Sequence, residues 1–315
     1  MLPADFARFP RCQKDFDVKH QQYRLIIPFL APALGLYALF VLYPYAQAIY
    51  LSLTGWRGTS NNKPWVGLEN YQRLWNDDRF TEALSRNGQL LVVLPIVTIL
   101  ISLTFAALFT QGGDGVRGAG FYRVVFFFPQ IISTVIVGIL WSYVYSPNIG
   151  LLNGVLRALG LDSLTRSWLA DENTVLWAIA GVAVWSSVGF YMVIFLASMQ
   201  TIPTSFYEAA RLDGASRFRS FKDITFPLIW ETMRTATIYL AISALDFFVL
   251  VVVMSQGATT ATARRTEVVS VYLYNQAFDK SRWGYASAIG VVLLLLTLLL
   301  SVVIMRLTRR EVYEY

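Results

Sequence analysis

Few side chains in this sequence are equipped for bond-making chemistry. Its 315 residues include one cysteine, Cys12, and one histidine, His20. A disulfide within the chain is therefore impossible, and no His/Cys metal site is expected. No G-x-x-x-x-G-K-S/T run occurs, so the chain has no P-loop with which to hydrolyse a nucleoside triphosphate. Gly113, Gly115 and Gly118 spell G-x-G-x-x-G. That fingerprint needs a preceding strand and a βαβ unit, whereas here it joins two apolar runs, so no dinucleotide site is read from it. Paired carboxylates and histidines are absent from the apolar runs, which argues against an enzyme embedded in a membrane. The chain is read as non-catalytic, without a cofactor of its own.

What remains is the chemistry of recognition. Asp246 is the only acidic residue in the core of an apolar run. Two readings stand side by side: an interhelical hydrogen bond that fixes packing, or a carboxylate that accepts hydroxyls of a passing solute. Ser243, three residues earlier, shares roughly that helix face. Trp185, Ser186, Ser187 and Tyr191 combine an aromatic platform with hydroxyls, as a polyhydroxylated solute requires. The same residue types are equally ordinary in helix packing.

These candidates sit in a chain that is 56% hydrophobic and only 15% charged. Soluble domains carry about 25% charge, so composition indicates an all-α polytopic membrane protein. The net charge of +6 does not point to nucleic acid, because the basic residues flank apolar runs, where they anchor a chain at lipid headgroups. Six runs are long enough to cross about 30 Å of hydrocarbon: residues 25–50, 89–109, 124–145, 174–199, 232–254 and 285–307. In lipid they must be helices to satisfy their backbone. Residues 1–24 and 308–315 are read as tails. Between the runs, Val66–Phe80 has Leu68, Tyr71, Leu74 and Trp75 at helical spacing, predicting a short interfacial helix with one apolar side. Leu151–Leu159 predicts another, closed by Gly160. With both termini inside, the inner segments hold 15 Lys and Arg and the longer outer loops hold 11, which sets the expected orientation.

The most polar internal segment is Ile202–Pro227, between the fourth and fifth runs. Ser205 and Glu208 fit a capping box. Gly214 suits a left-handed helix end. A second short helix is expected from Ser216 to about Ile224, with Pro227 stopping it. The predicted shape is helix, glycine corner, helix, presenting Phe206, Tyr207 and Ala210 with Phe218 and Phe221 nearby. Such a knob either docks a partner or simply packs beneath the bundle.

Glu208-Ala209-Ala210, Asp213-Gly214-Ala215, Phe218, Phe221, Ile224 and Pro227 together resemble the EAA signature of ABC-importer permeases, with Phe226-Pro227 where the family usually has Leu-Pro. Val66-Gly67-Leu68-Glu69-Asn70-Tyr71, Gly150-Leu151-Leu152-Asn153 and Gly284-Tyr285-Ala286-Ser287-Ala288 are similar to motifs of its carbohydrate branch, the maltose-type and glycerol-phosphate-type permeases. The chain departs from many relatives at Ser255-Gln256-Gly257-Ala258, where they carry Thr-x-Gly-Gly-Pro.

The resemblance implies the type I ABC-importer permease fold with six transmembrane helices. It makes 202–227 a cytoplasmic coupling helix seated in a separate ATPase. It also implies a multi-pass protein of the bacterial inner membrane that imports a sugar or oligosaccharide. Overall resemblance points, within that branch, to N-acetylglucosamine or chitobiose uptake. The implied partners are a second homologous permease subunit, two ATP-binding subunits that hold ATP and magnesium, and an extracytoplasmic sugar-binding protein. The competing class is a self-sufficient secondary transporter or channel, for which a single intramembrane carboxylate is a poor ion relay.

Overall fold

In a computed structural model describing residues 15–59, 61–110, 119–255 and 260–309, the chain is helical, and the described residues form only one isolated bridge, Thr54 to Trp65. Cys12, the glycine-rich turn over 111–118, the departure over 256–258 and the C-terminal tail from 310 lie outside the described residues. Among the described residues four helices are long and apolar enough to cross a membrane, and six spans result if each of two bent pairs counts as one.

The first apolar span is Ile26–Ser52, close to the expected 25–50, but the helix that carries it begins earlier. Helix α1 (Asp15–Tyr37) starts inside the segment read as a polar tail and passes through a π turn, Ala38–Leu42, into α2 (Tyr43–Ser52). The π turn falls where Pro44 cannot donate to the carbonyl four residues back. Every residue from Ile26 to Phe40 is exposed, whereas α2 packs along the last helix. Helix α3 (Glu69–Trp75) buries only part of the expected apolar side. Leu74 is buried and Tyr71 bonds Ser52 at 2.7 Å, whereas Leu68, at the N-cap, and Trp75 are exposed.

The second span is a correction. Helix α4 (Asp78–Thr110) starts eleven residues before the expected 89, within what was read as a loop. Its charged residues, Arg79, Glu82 and Arg86, misled the apolar count. Phe80, Ala83, Asn87, Leu90 and Leu94 nevertheless recur at helical spacing and are buried.

The third span is broken. Helices α5 (Ala119–Ile131) and α6 (Thr134–Val144) meet at 100°, just after Pro129. The third span, expected over 124–145, is thus a bent pair rather than one continuous helix, and Pro129 takes one donor out of the ladder there. Helix α7 (Leu151–Ala158) follows and is closed by Gly160 at φ +72°.

Helix α8 (Val175–Gln200) is the central column, flanked by α4 and α5. A Cβ at Gly189 would lie 1.8 Å from the Phe126 carbonyl oxygen of α5, so only glycine allows that crossing. The contact matters because lipid is as apolar as leucine, and helices associate through close packing and hydrogen bonds rather than by escaping water. Ser102 of α4 adds one such bond to the Val188 carbonyl at 2.9 Å.

Helix α9 (Thr204–Leu212), α10 (Arg217–Ser220), a π turn over Phe221–Thr225 and α11 (Phe226–Leu228) lead into α12 (Trp230–Leu245). The fifth span is also bent, by 45°, between α12 and α13 (Phe248–Met254). After α14 (Thr260–Thr266), α15 (Val269–Tyr274) and a π turn over Asn275–Asp279, α16 (Trp283–Leu307) is the last span.

Two polar joints tie the end of the bundle opposite the 202–227 loop. Asn87, fully buried, donates to the carbonyls of Ala244 at 2.7 Å and Leu245 at 3.2 Å, and accepts from the Val269 N–H at 2.8 Å. Those carbonyls lose helical partners where α12 breaks, so Asn87 replaces the missing donors. Asp77 caps α4, accepting from the N–H groups of Arg79 at 3.0 Å and Phe80 at 3.3 Å. Its other oxygen accepts from Tyr272 at 2.5 Å and Tyr285 at 2.6 Å, joining α4 to α15 and α16. Beside it, buried Glu267 pairs with Arg79 at 3.0 Å and accepts from Asn275 at 2.9 Å.

Replacing Asn87 with leucine strands three buried backbone groups, so Asn87→Leu is expected to lower stability by about 2–3 kcal/mol. An unchanged unfolding midpoint of the purified chain would remove Asn87 from this role. Burial pulls the Asp77 carboxyl up, but the hydrogen bonds from Tyr272, Tyr285 and two backbone amides outweigh it and hold it below its ordinary range. Its folded value being depressed, its stabilisation is complete above the unfolded value of about 4 and fades as pH falls through the lower folded one. The stability of Asp77→Asn should therefore fall less steeply on acidification than that of the parent chain.

Candidate coupling loop and solute path

The 202–227 segment is a rigid protrusion rather than a slack connection. Ile202 and Ile229, at its two roots, are buried in one apolar cluster with Met199, Phe195 and Leu240. The expected capping box does not form. Pro203 stands at the N-cap of α9 without a side-chain bond, because its own φ of −58° and ψ of 135° turn the chain directly into a helix that starts at Thr204. Ser205 is thus inside the helix, and Glu208 is exposed on its surface.

The C-terminal end of α9 is closed twice. The N–H of Gly214 donates to Arg211 at 3.0 Å and that of Ala215 to Ala210 at 2.8 Å, with Gly214 at φ +73°. This is the Schellman pairing, which needs a left-handed residue at the corner. Ser216 then caps α10, its Oγ accepting from the Arg219 N–H at 3.3 Å. Pro227 does not stop the helix. It sits in the first turn of α11, where no donor is needed, and the preceding π turn absorbs its missing N–H. The interruption falls instead at Ile229.

Two faces result. Tyr207 turns inward and its hydroxyl meets that of buried Thr225 at 2.9 Å, while Phe221 packs against the cluster at the roots. Tyr207 therefore leaves the outward face expected of it, and Phe221, expected beside that face, lies inside. Ala210 and Ala215 are half-buried. The outward face carries Phe206, Glu208, Ala209, Asp213, Gly214 and Phe218, the last 75% exposed. Leu212 is 90% exposed and was missed. Its signal was its place in the last turn of α9, one residue before the C-cap. Around this apolar rim lie Arg211, Arg217, Arg219 and Lys222, and Arg219 and Asp223 pair at 3.5 Å.

The solute-path candidates separate as clearly. Trp185 is 43% exposed and lies edge-on to Trp141 at 5.2 Å. Ser186 gives its hydroxyl to the Ala183 carbonyl at 3.0 Å, and Ser187 is half-buried. Tyr191 does not join them. It is buried with Met192 and Phe195, because six residues along a helix rotate its side chain far from that of Trp185. On α12, Tyr239, Ser243 and Asp246 are all exposed, at the i, i+4, i+7 spacing of one face. Ser243 donates to the Tyr239 carbonyl at 3.0 Å. Asp246 stands at the break itself, the C-cap of α12 with φ −98° and ψ 56°. No side-chain hydrogen bond of Asp246 occurs among the described residues. The freed carbonyls beside it are satisfied by Asn87.

A cavity of about 510 Å³ opens beside the upper part of α4, lined by Glu82, Arg86, Gln89, Glu172, Arg264 and Arg265 among others. Arg86 pairs with Glu82 at 3.0 Å and Arg265 with Glu172 at 3.1 Å. Among the described residues no group of three or more His, Cys, Asp or Glu side chains could hold a metal. The arrangement is one of binding surfaces: an outward knob at one end, a polar stripe beside a broken helix, and a charged recess at the other end.

The model of the family described as "Binding-protein-dependent transport system inner membrane component" matches residues 78–312. The chain is 41% identical to the diacetylchitobiose uptake system permease protein NgcF of Streptomyces coelicolor, over 98% of this chain and 88% of that one. It is 38% identical to the probable ABC transporter permease protein YurN of Bacillus subtilis, over 89% and 95%. In fold it is similar to a chain of a crystallised bacterial ABC transporter that imports the acidic polysaccharide alginate, with TM-score 0.77, 22% identity, and coverage of 95% of this chain and 100% of that one. The chain belongs to the family of inner membrane components of binding-protein-dependent transport systems, the permease subunits of ABC transporters.

Proposed function

We propose that this chain forms half of the pore of an importer for a short saccharide of the diacetylchitobiose type. The observation that carries the reading is the 41% identity over 98% of the chain to a permease of diacetylchitobiose uptake. The exposed Tyr239–Ser243–Asp246 stripe and Trp185 support it, since they offer hydroxyls, a carboxylate and a ring to a sugar. The second, homologous permease subunit completes the pore, and an extracytoplasmic sugar-binding protein delivers the solute at the end that bears the charged recess.

The 202–227 protrusion faces the cytoplasm and enters a cleft of an ATP-binding subunit, which holds the ATP and magnesium. Leu212 and Phe218 suit an apolar cleft, and the surrounding arginines suit an acidic rim. Because Ile202 and Ile229 root the protrusion in the bundle, a push on it moves α8 and α12 together. Both termini are cytoplasmic: Trp230, at the loop end of α12, bonds the Thr308 carbonyl at 2.8 Å, so the C-terminus leaves the bundle beside the loop.

In proteoliposomes carrying the whole complex, Leu212→Asp is expected to reduce ATP-driven uptake about tenfold or more by removing an apolar anchor, and Glu208→Ala to lower transport per ATP hydrolysed. Normal uptake by both variants would overturn the coupling assignment. Labelled diacetylchitobiose is the first solute to try. A complex that moves amino acids or ions but no saccharide would overturn the substrate class. Within the path, Asp246→Asn should raise the solute concentration for half-maximal uptake while leaving thermal stability unchanged. A large drop in stability would instead return Asp246 to a packing role.

A further inference from the structure

Apart from the protrusion and the α12 stripe, five aromatic rings form one unbroken series. Trp56, in the loop after α2, lies 5.8 Å from Trp283 at the start of α16. Trp283 lies 4.9 Å from Phe278, Phe278 4.6 Å from Tyr274 on α15, and Tyr274 5.4 Å from Phe248 at the head of α13. The series therefore starts at the end opposite the coupling loop and finishes two residues beyond Asp246, inside the broken fifth span. Its middle rings are uncovered: Phe278 is 56% exposed and Tyr274 41%.

Exposed rings in a membrane protein can face lipid, but both ends of this series are polar. The Lys63 ammonium sits 4.8 Å above the Trp56 ring. At the inner end Asp246 shows an exposed carboxylate, which is costly to leave against hydrocarbon. Beside Phe278, Asp279 and Lys280 are exposed as well. A ring ladder bordered by charge along its length suits an aqueous passage better than a lipid seam.

We propose that Trp56, Trp283, Phe278, Tyr274 and Phe248 form a stacking track along which a saccharide passes from the outer mouth to the Tyr239–Ser243–Asp246 stripe. This rests on the saccharide-import reading above. A pyranose has an apolar C–H face that lies on an aromatic ring and a rim of hydroxyls that needs polar partners. The rings provide the first; Lys63, Asp279 and Asp246 provide the second. Neighbouring rings lie close enough that a sugar meets one before leaving another. Conduction requires such a chain of weak sites, each favourable enough to occupy and none strong enough to trap.

The test uses the full complex in proteoliposomes, with labelled diacetylchitobiose, maltose and glucose as probes. The double variant Tyr274→Leu/Phe278→Leu keeps apolar bulk and removes two flat faces. Its uptake is expected to fall about tenfold or more, while subunits co-purify as in the parent complex. Phe278→Trp, which keeps a ring, is expected to retain at least half of the parent rate. Parent-like uptake by the leucine variant overturns the track and leaves the import reading standing. Loss of subunit co-purification also overturns it, by assigning the rings to contact with another polypeptide. A parent complex that moves none of the saccharides overturns the import reading, and the track falls with it.

Discussion

A helix interrupted inside a bilayer must find new hydrogen-bond partners for the backbone groups it frees, because the surrounding hydrocarbon offers none. In this chain the partner for the fifth span is Asn87. Its amide supplies donors to the last two carbonyls of α12, and its oxygen takes the first N–H of α15. The amide is the only neutral side-chain group that donates and accepts in this way at one site. A carboxylate could not donate, and a hydroxyl has a single hydrogen. The break, the exposed placement of Asp246 and the approach of α15 to α4 therefore depend on one buried side chain. That side chain in turn depends on the first turns of α4 being helical, which Asp77 secures by capping them and gripping Tyr272 and Tyr285.

The two ends of the molecule are built on different physics. At the end carrying Asn87 and Asp77, helices are joined by directional bonds between buried polar groups, which hold one arrangement well and tolerate little drift. At the end carrying the 202–227 protrusion the joint is the apolar cluster around Phe195, Met199, Ile202 and Ile229, with the Tyr207–Thr225 pair as a latch. Apolar packing in lipid has no register of its own, so the latch and the Gly214 corner supply the shape. Helix α12 runs from one joint to the other. A displacement at its loop end meets a firm hinge at its far end, where Asp246 lies.

How much of this was legible in the sequence depended on which physical signal each feature leaves. Apolar length marks spans, and α8 and α16 stand close to where their runs lie. Glycine at a left-handed corner marks helix ends, and both Gly160 and Gly214 have positive φ. Breaks within apolar runs leave no length signal. Pro129 was the only local sign of the 100° turn, and the side chain that satisfies the α12 break, Asn87, sits 157 residues away. The polar start of α4 was hidden because its charged residues interrupt the apolar run, and one of them, Arg79, pairs with distant Glu267, which no local pattern reports. Tyr191 shows the converse. Its residue type suited a solute path, but rotation about the helix axis, not residue type, decides which side chains share a face.

The exposed surfaces also constrain what must lie around the chain. The apolar residues from Ile26 to Phe40 are uncovered, and lipid alone is a sufficient neighbour for them. The α12 stripe is different. Ser243 has given its hydrogen to its own helix, Tyr239 shows a phenol, and Asp246 shows a carboxylate at the helix break. Hydrocarbon cannot solvate that carboxylate, so this face must meet water or another polypeptide. Helix α12 carries the stripe and packs mainly on α4 and α16. The exposed polar groups of this span thus stand at the break whose last two carbonyls Asn87 satisfies.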